Sequence, residues 1–388
     1  NRPAPRRSST AFDPIQTAVF AARIMAIAEE MGEHLARLAR SVSIRERRDF
    51  SAAVFDCDGH LIANAPHVPV HLGAMGETVR GLLRDRGDDL QPGTAWASND
   101  PYCGGSHLPD ITVIRPVHAG ATRVAFVAVR GHHVDVGGST PGSMPPASTH
   151  IEHEGLRFRN IPLAGPDGFT PPCLDGTRSP HELRADLLAQ VAAVQRGDDG
   201  LQGLIEGMGV DGFTAQMRHA LDAAERATTR LLTGMPGVHA ATEVLDDGTP
   251  IAVTMTVANG RATIAIDAPP HPGNLNAPSA VARAGVLYVL RCLIDEPLPL
   301  LNEGSLRRVQ IESTPGGMFD PQYPTAVAGG NVECSQRLVD ALLRAVGAQA
   351  ASQGTMNNLA MGESGENGAR PWDYYETMAG GMGAHRHG

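Results

Sequence analysis

The sequence contains no lysine: all 32 of its basic residues, among 388, are arginines. That absence excludes a Walker-A phosphate loop and any Schiff-base or lysine-nucleophile chemistry on this chain. An excess of positive charge is lacking too. The formal net charge is −10, which disfavours a nucleic-acid backbone as partner. The five cysteines, Cys57, Cys103, Cys173, Cys292 and Cys334, are odd in number and form no CxxC pair. Neither a disulfide framework nor a cysteine-built zinc site is expected, and a reducing cytoplasm is the natural compartment. No apolar run is long enough to span a bilayer, so no membrane role is expected. The opening NRPAPRRSST has no apolar stretch of signal-peptide type and no initiator Met. There is no GxSxG, and no Ser–His–Asp arrangement can be read from spacing.

What is present describes a folded protein of more than one lobe. Hydrophobic residues make up 42% and charged residues 19%, enough to bury a large core. Gly 44 and Pro 29 predict many turns and loops. Ile15, Val19, Ile24, Ile27, Met31, Leu35 and Leu38 recur at helical spacing over 13–40, with Asp13-Pro14 as N-cap and first helical position. FSAAVFDCDGHLIANA (50–65) reads as a hairpin turning at Asp58-Gly59, followed by a short helix over 73–85. Strands are expected at 94–98, at ITVIRPV and at RVAFVAVR (123–130). Successive helices are expected from 180 to 233, strands over 238–267, and helices over 278–294 and 335–348. The Gly-rich tail ETMAGGMGAHRHG reads as stopping without a closing element. The fold class is thus mixed α/β (α+β) and multi-lobed: a strand-rich N-terminal lobe over 1–178 carrying the functional loops, a helical segment over 179–235, and a C-terminal α+β lobe over 236–388.

The chemistry sits in loops at strand ends, where binding groups usually lie. NDPYCGGSHLPD (99–110) is too broken by Gly and Pro for a helix or central strand. Alone, its His107 and Asp110 read as an exposed histidine beside a turn-stabilising aspartate, with Asn99 and Asp100 bracing the turn as caps. A second loop changes that reading, because Arg130, His132, His133 and Asp135 crowd into six positions at the end of the next strand. Imidazole and carboxylate together suit zinc, manganese, iron or cobalt. Adjacent side chains on an extended segment point opposite ways, so one of His132 and His133 faces a metal and the other is left for proton transfer or substrate contact. IRERRDFS (44–51) adds Glu46 and Asp49 among three arginines; taken alone, this is a solvated ion-pair patch. NAPHVPVHLG (64–73) contributes His67 and His71, for which a structural role competes with a substrate contact. GNLNAP and GGNVECSQR precede helices, and backbone N–H groups at such junctions bind anions or carbonyl oxygens.

In order along the chain, ERRDFSAAVFDCDGHLIANAPHVPVHLG, NDPYCGGSHLPD, RGHHVDVGGSTPGSMPP, GNLNAP, GGNVECSQR, GTMNN and YYETMAGGMGA resemble the hydantoinase B/5-oxoprolinase family, from about residue 13 to the end. The resemblance implies metal ligands His107, Asp110 and His132, with one acid from Glu46 and Asp49, Asp49 being favoured. For a metal-dependent amidohydrolase, His133 or Asp135 is then expected to move protons and Arg130 to steady negative charge, with substrate contacts expected at His71, Asn99, Asp100 and Asn331. The resemblance also implies an ATP-dependent complex. An ATPase partner of hydantoinase A type, in a hetero-oligomer such as A2B2, binds the ATP that this chain does not and phosphorylates the substrate. This chain then opens a small cyclic amide (a hydantoin, 5-oxoproline or similar lactam) at a divalent transition metal. An alternative is the alpha-type subunit of a ketone carboxylase. A third reading is a non-catalytic partner, prompted by an ending at Gly388 where family members usually continue.

Overall fold

The computed structural model describes residues 14–65, 67–296, 298, 301–363 and 372–385. Asp13, read as an N-cap, lies outside them. In chain order the elements are α1 (Pro14–Leu38), α2 (Val42–Arg45), β1 (Phe50–Asp56), β2 (Leu61–Asn64), α3 (Pro69–Arg86), β3 (Ala95–Ser98), β4 (Asp110–Ala119), β5 (Thr122–His132), β6 (Ile161–Gly165) and β7 (Gly168–Phe169). Then come α4 (Pro180–Thr233), β8 (Gly237–Val244), β9 (Pro250–Ala258), β10 (Arg261–Asp267), α5 (Ser279–Leu293), β11 (Val309–Ser313), α6 (Ser335–Ala345), β12 (Asn358–Glu363) and β13 (Trp372–Thr377).

A seven-stranded antiparallel sheet, ordered β2-β1-β5-β4-β3-β6-β7, lies at the centre. Its middle strands are buried on both faces. Ala52 and Val54 of β1 and Val127 and Val129 of β5 pack into one apolar cluster with α1 and α4. The alternate residues, Ala53, Phe55, Phe126 and Ala128, pack into a second cluster with α3, α5, α6 and the smaller sheet. Two-sided burial explains why RVAFVAVR is apolar without alternation, and each large side chain so buried stabilises the fold by about 1.5–3 kcal/mol. The smaller sheet, β11-β10-β9-β8, pairs β10 with β11 in parallel and the rest antiparallel. β12 and β13 form a separate two-stranded hairpin.

The mixed α/β class is as expected, and several elements differ in extent. The first helix buries Phe20, Ile24, Met31 and Leu35, but Ile15, Val19 and Leu38, read as the same stripe, are exposed. α3 starts four residues early, because Pro69 occupies its first turn, where a missing N–H costs nothing. The successive helices run on as α4, broken only at Gly209 (φ 76, ψ 160), a conformation open to glycine. β13 lies against β12, a hairpin not among the expected elements, and the described tail residues after Thr377 form no helix or strand.

Near the junction of the two sheets, Glu303 is 2% exposed. Its carboxylate accepts from Arg80 on α3, Arg283 on α5 and the backbone N–H of Leu61 on β2. Burial alone would raise its pKa, but these donors override that and hold it at about 2. All five cysteines are free thiols. No helix among the described residues is long and apolar enough to cross a membrane.

Candidate metal centre and its cavity

Three strand ends make the site. β1, β5 and β4 are neighbours in the sheet, and the register pairs Phe50 with Gly131 and Asp110 with His132. The start of β1, the end of β5 and the start of β4 therefore lie side by side, and the N–H of His132 donates to the carbonyl of Asp49 at 2.9 Å. His107 stands one turn before Asp110, whose N–H donates back to the His107 carbonyl. The Gly-rich path into that turn is steric: Gly104 has φ +92, and a Cβ there would lie 2.3 Å from the Glu77 carbonyl.

Asp110 is the hub. Its Oδ1 lies 3.1 Å from His107 Nε2 and 3.1 Å from His132 Nδ1, and its Oδ2 lies 3.4 Å from His71 Nε2. All four side chains are buried. Ligand atoms of His107, Asp110 and His132 fall within 4.8 Å of one another. His107 Nδ1 lies 3.2 Å from the Ala328 carbonyl, which can only accept, so the ring carries its proton there. Its Nε2 then faces a carboxylate oxygen lone pair to lone pair, a gap that only a proton or a cation fills. His71 repeats the logic. Ser51 Oγ lies 3.2 Å from its Nδ1 and holds the ring with Nε2 toward Asp110 and, at 3.9 Å, toward Asp49 Oδ1. Burial would push the Asp110 carboxyl up, but the imidazoles around it hold it well below the usual carboxylate range. Burial opposes protonation of His107 as well, yet the Asp110 carboxylate raises its pKa. An imidazole–carboxylate set with second nitrogens fixed by carbonyl and hydroxyl groups fits a divalent transition metal.

The cluster opens onto a cavity of about 680 Å³. Glu46, Asp49, His71 and Asn331 line it together with His107, Asp110 and His132. Glu46 is exposed, and Asp49 is the acid nearer the cluster.

Other expected residues are placed elsewhere. His133 turns away from the cavity into the core, with Nε2 3.1 Å from Gln190 Oε1 and Nδ1 3.9 Å from Asp186. Asp135 sits beyond the strand end, in a turn where it accepts from Gly137 N and pairs with Arg178. Neither lines the cavity, so the roles in proton transfer expected of them are not supported by their positions: alternation sends 133 to the opposite face, and 135 is past the strand. Arg130 lies behind the cluster. It donates to Thr112, Ser106 and Thr78, and Ser106 Oγ donates to Asp110 Oδ2 at 2.6 Å. Burial lowers its pKa to about 10. Its reach to Asp110 is thus through a hydroxyl, not into the cavity. Asn99 and Asp100 make no substrate surface: Asn99 bonds Leu108 O, Leu156 O and Phe158 N, while Asp100 caps Tyr102 N and pairs with Arg157. Both are the turn braces of the first reading.

Sequence reading left out Tyr375 and Arg47. The Tyr375 ring stacks on His132, with centroids 5.0 Å apart and planes at 26°, and Arg47 lies 4.5 Å over the same ring. The only signals were the aromatic pair in YYE and the arginines beside Asp49.

Residues 13–388 match the family model described as hydantoinase B/oxoprolinase. 5-Oxoprolinase 1 of Arabidopsis thaliana is 41% identical, over 96% of this chain and 32% of that protein, so the chain spans about a third of that relative's length. Among solved structures, the ATP-dependent caprolactamase from Pseudomonas jessenii superposes with TM-score 0.84 at 26% identity, covering 95% of this chain and 66% of that one. Nucleotide-free acetone carboxylase shares the fold, with TM-score 0.82 at 16% identity over 96% of this chain and 54% of that one.

Proposed function

The chain belongs to the hydantoinase B/oxoprolinase family, and from that premise we propose that it is the metal-dependent part of a cytoplasmic, ATP-dependent enzyme that opens small cyclic amides. The observation that carries this reading is the convergence of His107 Nε2 and His132 Nδ1 on Asp110 Oδ1, each at 3.1 Å, at the head of a cavity large enough for such a ring. His107, Asp110 and His132 would hold a zinc, manganese, iron or cobalt ion, with His71 and Asp49 at its open side. Bound there, the metal would supply polarisation of the amide carbon–oxygen bond and an acidified water.

The chain's own residues do the rest. Arg130, through Ser106, fixes the Asp110 carboxylate. His71, between Asp110 and Asp49, is the imidazole placed to take a proton from water and return it to the ring nitrogen. Asn331 Oδ1, which is buried and makes no hydrogen bond among the described residues, is available to an amide N–H. ATP would be used by an A-type partner subunit in a hetero-oligomer such as A2B2, since a chain without lysine has no Walker-A loop.

The test combines the chain with its co-encoded ATPase partner. ATP-dependent opening of hydantoin, 5-oxoproline or caprolactam is expected, with about one transition metal per chain. A metal-free active complex, or ATP turnover that requires bicarbonate and a ketone, would refute the reading; the latter outcome is that of a carboxylase.

A further inference from the structure

Arg47 is the unexplained group in this cavity. Its Nη1 is buried and has no hydrogen-bond partner among the described residues. The rest of the guanidinium is firmly held: Nη2 donates to Thr377 Oγ1 at 2.9 Å and lies 3.6 Å from Asp49 Oδ2, and the group lies over the Tyr375 ring. Its neighbour Arg48, which also borders the cavity, makes an exposed ion pair with Glu33. Arg48 takes φ 55, a backbone conformation rare for an L side chain. Arg47 faces the cavity, one aromatic ring away from His132.

A guanidinium with a buried, unused N–H edge is a ready site for an oxyanion, because charge-assisted hydrogen bonds of this kind are short and strong. Burial of that edge without a partner is unfavourable unless a ligand completes it. Across the cavity, the unpartnered Asn331 Oδ1 offers an acceptor for an N–H. We propose that Arg47, braced by Thr377 and Tyr375, is the oxyanion anchor of this cavity. It would hold either a carboxylate on the ring of the cyclic amide or a phosphoryl group carried on its amide oxygen. The proposal rests on the cyclic-amide reading only for the choice of probes.

The test is calorimetric titration of the metal-loaded chain with three probes: inorganic phosphate, 5-oxoproline, and 2-pyrrolidone, the same ring without the carboxylate. Arg47→Gln is expected to weaken at least one of the anions by roughly 10- to 100-fold and to leave 2-pyrrolidone unchanged. Arg47→Lys, which keeps the charge and loses the fork, is expected to fall between. A loss confined to 5-oxoproline assigns the anion to the ring carboxylate; a loss confined to phosphate assigns it to the phosphoryl group. Anion binding equal in R47Q and wild type, or an equal weakening of the neutral lactam, overturns the proposal. Turnover is not used, so a chain that discriminates anions through Arg47 but opens no ring would remove the amidohydrolase reading and leave the anchor standing.

Discussion

His107 and Ala328, 221 positions apart, are joined by one hydrogen bond from the ring Nδ1 to the carbonyl oxygen. The carbonyl is itself held. Glu154 Oε1 accepts from the backbone N–H groups of Val327 and Ala328, at 3.0 Å each, and from Ser148 Oγ at 2.8 Å. A buried carboxylate thus orients the histidine through the main chain, without touching it.

Glu154→Ala should therefore weaken metal binding by about 10- to 100-fold, the usual scale for losing a group that orients a ligand. Glu154→Gln keeps Oε1 as an acceptor and should stay near wild type. Chelator competition measures both. An alanine variant that melts earlier but binds metal as tightly as wild type would show that Glu154 supports only the fold.

His107→Ala and Asp110→Ala should abolish stoichiometric metal, whereas His133→Ala should retain it while losing stability, since its ring packs against Gln190 inside the core. Elemental analysis beside thermal melts separates the two classes. Metal loss in the His133 variant would mean that the adjacent ring reaches the ion.

Glu303 gives a pH dependence of known sign. Its pKa is about 2 when folded against 4.5 as a free side chain, so between those values the unfolded chain binds the extra proton. Its contribution, on the order of 3 kcal/mol, is complete above pH 4.5 and is lost as pH falls toward 2. Urea midpoints should decline over that range, and Glu303→Gln should flatten the decline while lowering stability at pH 7. An acid limb identical in the variant would contradict this.

Gly104→Ala places a Cβ 2.3 Å from the Glu77 carbonyl at φ +92. A loss of at least about 2 kcal/mol is expected, read as a lower melting temperature, with weaker metal binding because the same turn carries His107. A variant as stable as wild type would mean that the loop can take another path.

Much of this architecture is readable from residues whose partners are near in the chain. The apolar run of β5 and the Asp58-Gly59 turn announce their strands, and the histidines clustered at strand ends mark the loops that converge. The opposite orientations of His132 and His133 follow from alternation alone. Which of the two faced inward did not, because that depends on which face α4 covers with Gln190 and Asp186. Asp135 lies past the end of β5, where closeness in sequence to His132 does not bring it to the cavity. Tyr375 and Arg47 were invisible for a different reason: their contact joins positions 328 residues apart, and no local pattern brings such positions together. Asn99 and Asp100 show the reverse, a local rule giving the better reading: short polar side chains at a strand exit brace the backbone.

The Tyr375–His132 stack also sets an order in time. Asp49, His71, His107, Asp110 and His132 are all synthesised before position 133, while the ring that covers His132 arrives only at position 375. At ordinary synthesis rates the interval is on the order of ten to fifty seconds. Through that interval the nascent chain carries the candidate metal ligands without their aromatic wall, and the cavity gains its final side only when β13 is made.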